Sequence, residues 1–190
     1  MVDIETLGTD VESTIFQIAA VIFDVKTGNL SGSFNKIADV SLNENLDMAV
    51  NGSTLKWWLS QPDDLFRRLL ERGDISSSQL IQEFYDWLKI LTWSGDVYLW
   101  GNGATFDNVR LKYHFEREGL EYPIAYDRDR DMRTVVELVC MKHGYDQREF
   151  RKSFQTSEFE THDAGSDSRL QAIIVAACYK DLLGKTDEIQ

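Results

Sequence analysis

With two prolines and two cysteines in 190 residues, the chain has little of what stiffens loops or staples small folds. A disulfide framework is therefore excluded as its source of stability. Cys140 and Cys178 both fall on apolar helical faces and read as buried free thiols rather than a disulfide or metal pair. That suits a reducing compartment, and a cytoplasmic location is expected. No run reaches the roughly 18 apolar residues of a membrane span, and no secretory signal is visible, so no membrane partner is expected. Positive charge is also scarce. Twenty Lys and Arg face 32 Asp and Glu, a formal net charge of -12, which argues against a protein that holds nucleic acid mainly by a basic surface.

What is present is an ordinary globular composition, 43% hydrophobic in 21.9 kDa, expected to form one domain over residues 1–190. Ile15 to Val25 is almost continuously apolar, as in a strand buried on both faces, and should pair with a strand around Asp3. Lys26-Thr27-Gly28-Asn29 then turns the chain into a third strand, Leu30 to Ile37. Leu80, Ile81, Phe84, Trp87, Leu88 and Leu91 recur at three- and four-residue spacings, which predicts an amphipathic helix with caps at Ser76 to Ser78. Val97 to Trp100 reads as a short buried strand, broken by Gly101-Asn102-Gly103 before a helix starts near Thr105. Tyr122 to Tyr126 is the candidate fifth strand, held to an edge or a strand start by Pro123. Helices are expected over Asp131 to His143 and from Ser166 onward. The polar segment from Gly144 to Thr161 lacks periodicity and reads as a mobile loop that delivers His162. Early hairpins followed by crossovers imply an α/β domain on a mixed sheet.

The residues that carry chemistry are spread along this frame. Side chains alternate faces along a strand, so Asp3 and Glu5 project from one side. Asp107 falls in the first turn of the helix after the Val97 strand, and Asp167 in the first turn of the last helix, five residues after His162. Each signal alone is weak. Alternating Asp and Glu can be the wet face of an edge strand, Asp107 can complement a helix dipole, and Asp167 can serve as a cap. Asp163 offers a competing register, but Asp167 is preferred because a helical turn fixes its direction. Together, in this order, the carboxylates would make a negative pocket that needs divalent cations. A pair of these about 3.5 to 4 Å apart can clamp the attacking and leaving oxygens of an in-line displacement at phosphorus. His162, with an ordinary pKa near 6.5, suits proton transfer at neutral pH. His114 and His143 match no motif and read as helix-surface residues. Arg110 with Lys112, and Arg148 with Arg151 and Lys152, are either solvated surface or local phosphate contacts.

Val2-Asp3-Ile4-Glu5-Thr6, Asp107 after its strand, and His162-Asp163-Ala164-Gly165-Ser166-Asp167 resemble the DEDD superfamily of 3′-5′ exonucleases, in the branch whose fifth residue is histidine. Proofreading subunits, oligoribonuclease and ribonuclease T belong to that branch. Ser53 to Gln61, Trp100 to Asp107 and Asp131-Met132-Arg133-Thr134 further resemble the phage and prophage group of exodeoxyribonuclease VIII-like proteins. The resemblance implies a ribonuclease H-like fold, with a mixed five-stranded sheet and helices on both faces. It also implies two Mg²⁺ or Mn²⁺ ions held by Asp3, Glu5, Asp107 and Asp167, and His162 as the group that takes a proton from the attacking water.

Its implied partner is a single-stranded or 3′-tailed nucleic acid, DNA or RNA, with a free 3′ end, from which nucleoside 5′-monophosphates are released. Thr6, Leu7 and Asn102 would fix the terminal nucleotide. One of Trp57 and Trp58 would stack on a base while the other anchors the core. A homodimer is expected from the 12% aromatic content and from small stand-alone relatives. One departure is that Asp3 stands two residues from the start, where family members have several apolar residues ahead of it. The rival classes are a catalytically silent nucleic-acid-binding or polymerase-associated module and a metal-free carboxylate hydrolase. A product assay separates the first from an exonuclease, and sensitivity to a chelator separates the second.

Overall fold

The long apolar segment becomes the middle strand of an antiparallel sheet in the order β1-β2-β3, with β1 Val2–Thr6, β2 Ile15–Phe23 and β3 Leu30–Ile37. The structure is a computed structural model that describes residues 1–43 and 49–184. β2 is buried from Ile15 to Val21, as its lack of alternation requires. Its register sets Asp3 against Ala19 and Glu5 against Gln17. The β2–β3 turn is held by the Asp24 carboxylate, which accepts from the backbone N–H groups of Lys26 and Thr27, with Gly28 at φ 77°.

Two more strands, β4 (Leu99–Gly101) and β5 (Asp129–Asp131), pair in parallel as a separate sheet. The mixed five-stranded sheet expected from the sequence is thus divided, among the described residues, into three antiparallel and two parallel strands. β4 lies beside β1 but is not paired with it among the described residues. The fifth strand is also displaced from Tyr122–Tyr126, which is irregular. Pro123 has no N–H to give a ladder, Ile124 is buried in the core, and the Tyr122 hydroxyl donates to Asp129.

Helices cover both sides. On one, α3 (Ser77–Ser94) and α4 (Asp107–Arg117) pack Leu80, Phe84, Leu111 and Phe115 against Val2, Ile4 and Ile18. On the other, α5 (Met132–His143) and α7 (Ala164–Leu183) pack Val136, Cys140, Ile174 and Cys178 around Trp100 and Val21, with both thiols free and buried. A third cluster joins Leu7, Phe16 and Ile37 to α1 (Gly52–Leu59) and α2 (Leu65–Leu70). None of these helices is long and apolar enough to cross a membrane.

Caps decide most boundaries. Ser76 caps α3 as expected, and Asn51 caps α1, accepting from the Ser53 and Thr54 N–H groups. α7 begins at Ala164, capped by Asp163, two residues before the expected start. The segment read as a loop from Gly144 to Thr161 contains α6 (Gln147–Lys152). Asp146 caps it through the Glu149 N–H, and Tyr145, Phe150 and Phe154 pack ring to ring. Six residues are too few for periodicity to show, so only the cap and the aromatic spacing could have revealed this helix.

The two adjacent tryptophans diverge. Trp58 is 2% exposed, stacks on Phe66, meets Phe16 edge-on and donates its indole N–H to the Thr6 carbonyl, whereas Trp57 is 43% exposed. Trp58→Ala is expected to destabilise the fold by about 3–5 kcal/mol and Trp57→Ala by less than about 1 kcal/mol. Urea unfolding of the two variants checks this, and equal losses would contradict the division.

Candidate active site

Strand alternation sends Val2 and Ile4 into the α3/α4 core and leaves Asp3 and Glu5 facing α7. The first turn of α7 brings Asp167 to the same place, and one carboxylate oxygen from each of Asp3, Glu5 and Asp167 lies within 4.8 Å of the others. Asp107, at the start of α4, is outside that tight group but lines the same cavity of about 820 Å³. Asp163 does not join them. It caps α7 through the Ser166 N–H and pairs with Arg72 at 3.5 Å.

The electrostatics are those of uncompensated charge. Asp3 is held well above the ordinary carboxylate range, first by burial and then by the charges of Asp107 and Asp167, with the Gln171 amide at 2.7 Å opposing. Glu5 is raised likewise by burial, then by Asp3, Asp167 and Asp107. Burial lifts Asp107 to about 7, against the Ile4 and Asp107 backbone N–H groups and the more distant Arg110 and Arg133. Asp167 is lifted by burial to about 6, against the His162 N–H. The donor set is all oxygen, crowded and short of protein cations, and this fits hard divalent ions such as Mg²⁺ or Mn²⁺.

His162 sits one residue before the cap of α7, with left-handed backbone at φ 66°, a conformation that a non-glycine residue adopts at a cost of about 1–3 kcal/mol. Two contacts hold it: its N–H donates to the Asp167 carboxylate at 2.9 Å, and its ring meets Trp57 edge-on at 4.9 Å. The imidazole lines the cavity, and burial lowers its pKa from 6.5. It therefore stays neutral, able to accept a proton, to lower pH than a free imidazole would.

A second cleft, of about 410 Å³, opens from Glu5 and Phe106 and is walled by Thr6, Gly8, Ser53 and Trp57. Gly8 permits its closeness, since a Cβ there would lie 2.4 Å from Ser13 Oγ. Thr6 lines it, with its hydroxyl donating to the Gly8 carbonyl. Leu7 does not line it. Its side chain packs with Phe16 and Trp58 in the core, past the register shift between Glu5 and Thr6 that ends the alternation. Trp58 reaches the cleft from the core, and Trp57 is the more exposed ring. Asn102 borders the carboxylate cavity and accepts from Arg151 at 3.5 Å.

The two basic clusters separate. Arg148, Arg151 and Lys152 line the cavity, whereas Arg110 stacks on Phe106 and donates to the Thr9 and Phe106 carbonyls, and Lys112 lies over Tyr122. Phe106, Gln171 and Arg133 are site residues that the motifs alone did not single out. Gln171 had a signal, being four residues after Asp167 on one helix face. His114, read as a surface residue, is only 8% exposed. Its Nε2 bonds the Ser13 carbonyl at 3.0 Å, because α4 packs that face against the chain after β1. His143 is at the surface and pairs with Asp181.

The raised carboxylates bind protons more tightly in the folded than in the unfolded chain, so without cations they cost stability as pH rises from about 4 to about 7. In excess chelator, Asp167→Asn should melt higher than the unchanged protein above about pH 6, with the gap closing as pH falls toward 3.8. With saturating Mg²⁺ or Mn²⁺ the order should reverse, because the ions stabilise the form that binds them. Thermal melts across pH with and without cation decide it; a gap insensitive to both would show that Asp167 carries no uncompensated charge.

The sequence profile of the 3′-5′ exoribonuclease Rv2179c-like domain matches residues 1–179. Among solved structures, the fold is similar to the nuclease domain of 3′hExo, a DEDDh family member, bound to rAMP. The TM-score is 0.62 at 13% identity, covering 95% of this chain and 90% of that one. None of the curated proteins matches. With the profile spanning nearly the whole chain and Asp3, Glu5, Asp107, His162 and Asp167 gathered at one cavity, the chain belongs to the Rv2179c-like family of 3′-5′ exoribonuclease domains.

Proposed function

We propose that this exonuclease removes nucleoside 5′-monophosphates from the free 3′ end of single-stranded or 3′-tailed nucleic acid with the help of two divalent cations. RNA is the first substrate to test, on the family's description. DNA is the second, on the resemblance of Ser53 to Gln61, Trp100 to Asp107 and Asp131 to Thr134 to exodeoxyribonuclease VIII-like proteins. The observation that carries the reading is the crowding of Asp3, Glu5 and Asp167, with Asp107, beside a cleft of about 410 Å³ that suits one nucleoside.

Asp3, Glu5, Asp107 and Asp167 would hold the cations, which when bound supply charge neutralisation at the scissile phosphate and make a coordinated water more acidic. Around that centre the chain's own groups orient the reaction. Thr6, Trp57 and Phe106 line the open cleft that would take the terminal nucleoside. Gln171 fixes Asp3 by its amide. The Asp167 carboxylate, by accepting the His162 N–H, fixes the backbone from which the imidazole reaches the cavity. Neutral His162 accepts the proton released as water attacks phosphorus.

Excess chelator should abolish release of monophosphates from end-labelled RNA or DNA. Asp3→Asn, Glu5→Gln, Asp107→Asn and Asp167→Asn should each remove most activity, while a circular strand should resist. Activity that survives chelation would defeat the cation-dependent reading.

The His162 limb has a defined sign. The base form is present above the imidazole pKa and lost as pH falls through it, so activity should rise with pH on a limb whose midpoint lies below 6.5. His162→Ala should remove that limb and lower kcat by about 10²–10⁴. Near-normal turnover in His162→Ala would remove it from the reaction.

A further inference from the structure

The buried stretch of β2 carries one polar side chain. From Ile15 to Val21 the strand is otherwise apolar, yet Gln17 stands in it at 0% exposure. A buried amide costs free energy unless its donor and acceptor are both used, and an apolar side chain of equal length would fill the same space without that cost. Gln17 uses both ends. Its Nε2 donates to Asn35 Oδ1 on β3 at 3.2 Å, and its Oε1 accepts the Ala164 backbone N–H at 3.4 Å.

The second of these bonds leaves the sheet. Ala164, itself fully buried, is the first residue of α7, between the Asp163 cap and the turn that carries Asp167. The turn's other hydrogen bonds are local: Ser166 and Asp167 donate to the Asp163 carbonyl, and His162 donates to the Asp167 carboxylate. They give the turn its shape but not its height above the strands. Among the described residues, the Ala164–Gln17 bond is the one that joins residues 162–167 to the three-stranded sheet. Gly165 completes the approach. A Cβ there would lie 2.2 Å from Asn35 Nδ2, so the missing side chain lets α7 settle on the same Asn35 that orients the Gln17 amide.

Strand register connects this tether to the site. Gln17 is the cross-strand partner of Glu5, so both side chains rise from the face of the sheet that α7 covers. The gap between that face and the α7 turn sets how near Asp167 stands to Asp3 and Glu5, with which it forms the 4.8 Å group. Like carboxylates repel across the gap, so its width has to be held by something else. Resting on the cation-dependent exonuclease reading, we propose that Gln17 is a positioning residue that pins the first turn of α7 to β2. The pin sets the height at which Asp167 acts with Asp3 and Glu5 and from which the His162 imidazole reaches the attacking water. Asn35 keeps the Gln17 amide in the orientation this requires.

Gln17→Met keeps length and burial but removes the acceptor. With saturating Mg²⁺ or Mn²⁺, on whichever of end-labelled RNA or DNA the unchanged protein degrades faster, it should lower kcat about 10- to 100-fold with KM nearly unchanged, as for reacting groups displaced by about 1 Å. Half-saturation by the cation should move to higher concentration. Melting should fall by about 2–8 °C, the range for one buried N–H left unpaired. Gln17→Glu retains an oxygen of the same reach for the Ala164 N–H and should lose less kcat than Gln17→Met. Asn35→Ala, on the exposed edge strand, should fold normally and lose kcat in the same direction to a smaller extent. Hydrogen exchange in chelator reads the tether without turnover: the Ala164 amide should exchange faster in Gln17→Met, while amides in the second half of α7 stay protected.

An unchanged kcat and cation requirement in Gln17→Met, or a Gln17→Glu protein as slow as Gln17→Met, would overturn the assignment even if hydrolysis is robust. Unchanged Ala164 exchange in Gln17→Met would overturn it with or without hydrolysis. No hydrolysis by the unchanged protein, together with faster Ala164 exchange and a smaller cation-induced rise in melting temperature in Gln17→Met, would uphold the positioning role and overturn the exonuclease reading instead.

Discussion

Mutual repulsion among buried carboxylates is the constraint around which this molecule is arranged. Ionised side chains at Asp3, Glu5, Asp107 and Asp167 would each be more stable in water, and the fold holds them together where burial pushes all four toward protonation and neighbouring carboxylates add to it at Asp3, Glu5 and Asp167. Such a cluster persists only because hydrophobic burial elsewhere outweighs its cost. Three apolar clusters supply that burial, and the two larger ones clamp the β1 strand from opposite sides. Val2 and Ile4 lock β1 by one face, which forces Asp3 and Glu5 into the cavity on the other. The same alternation that stabilises the strand therefore creates the strain at the site.

The remaining parts of the site depend on that placement. α7 supplies Asp167, and one turn later Gln171, whose amide is the single side-chain donor to Asp3 among the described residues. The helix also sets His162, since its backbone N–H is anchored on Asp167 and its ring rests on Trp57. A shift of α7 would move a carboxylate, its hydrogen-bonding neighbour and the imidazole together. Asp107 is tied to the sheet instead. It starts the helix that follows β4 and lies close enough to β1 for the Ile4 backbone N–H to favour its charged form.

Charge is distributed with similar economy. The chain is acidic overall, yet Arg133, Arg148, Arg151 and Lys152, which line the same cavity as the carboxylates, make no ion pair within 4.0 Å among the described residues.

Much of this was legible in one dimension. Alternation put Asp3 and Glu5 on one face, a glycine break after a short apolar strand set Asp107 at a helix start, and the helical register favoured Asp167 over Asp163, which the structure uses as a cap. These are local rules of backbone geometry, and a local pattern suffices to express them. The residues that eluded the sequence are those whose role depends on what packs against them. Leu7 turns to the core and not to the cleft beside Glu5 because Trp58 and Phe16 are there to receive it, and His114 is buried because α4 lies on the chain after β1. β5 forms at Asp129 and not at Tyr122 because only the former meets β4. α6, too short to show a period, exists through its cap and the aromatic rings beneath it. The sequence by itself determined which residues could carry the chemistry and which face each would take on its own element. Only the tertiary structure decided which elements met, because burial, hydrogen-bond competition and charge proximity are properties of pairs of segments distant along the chain.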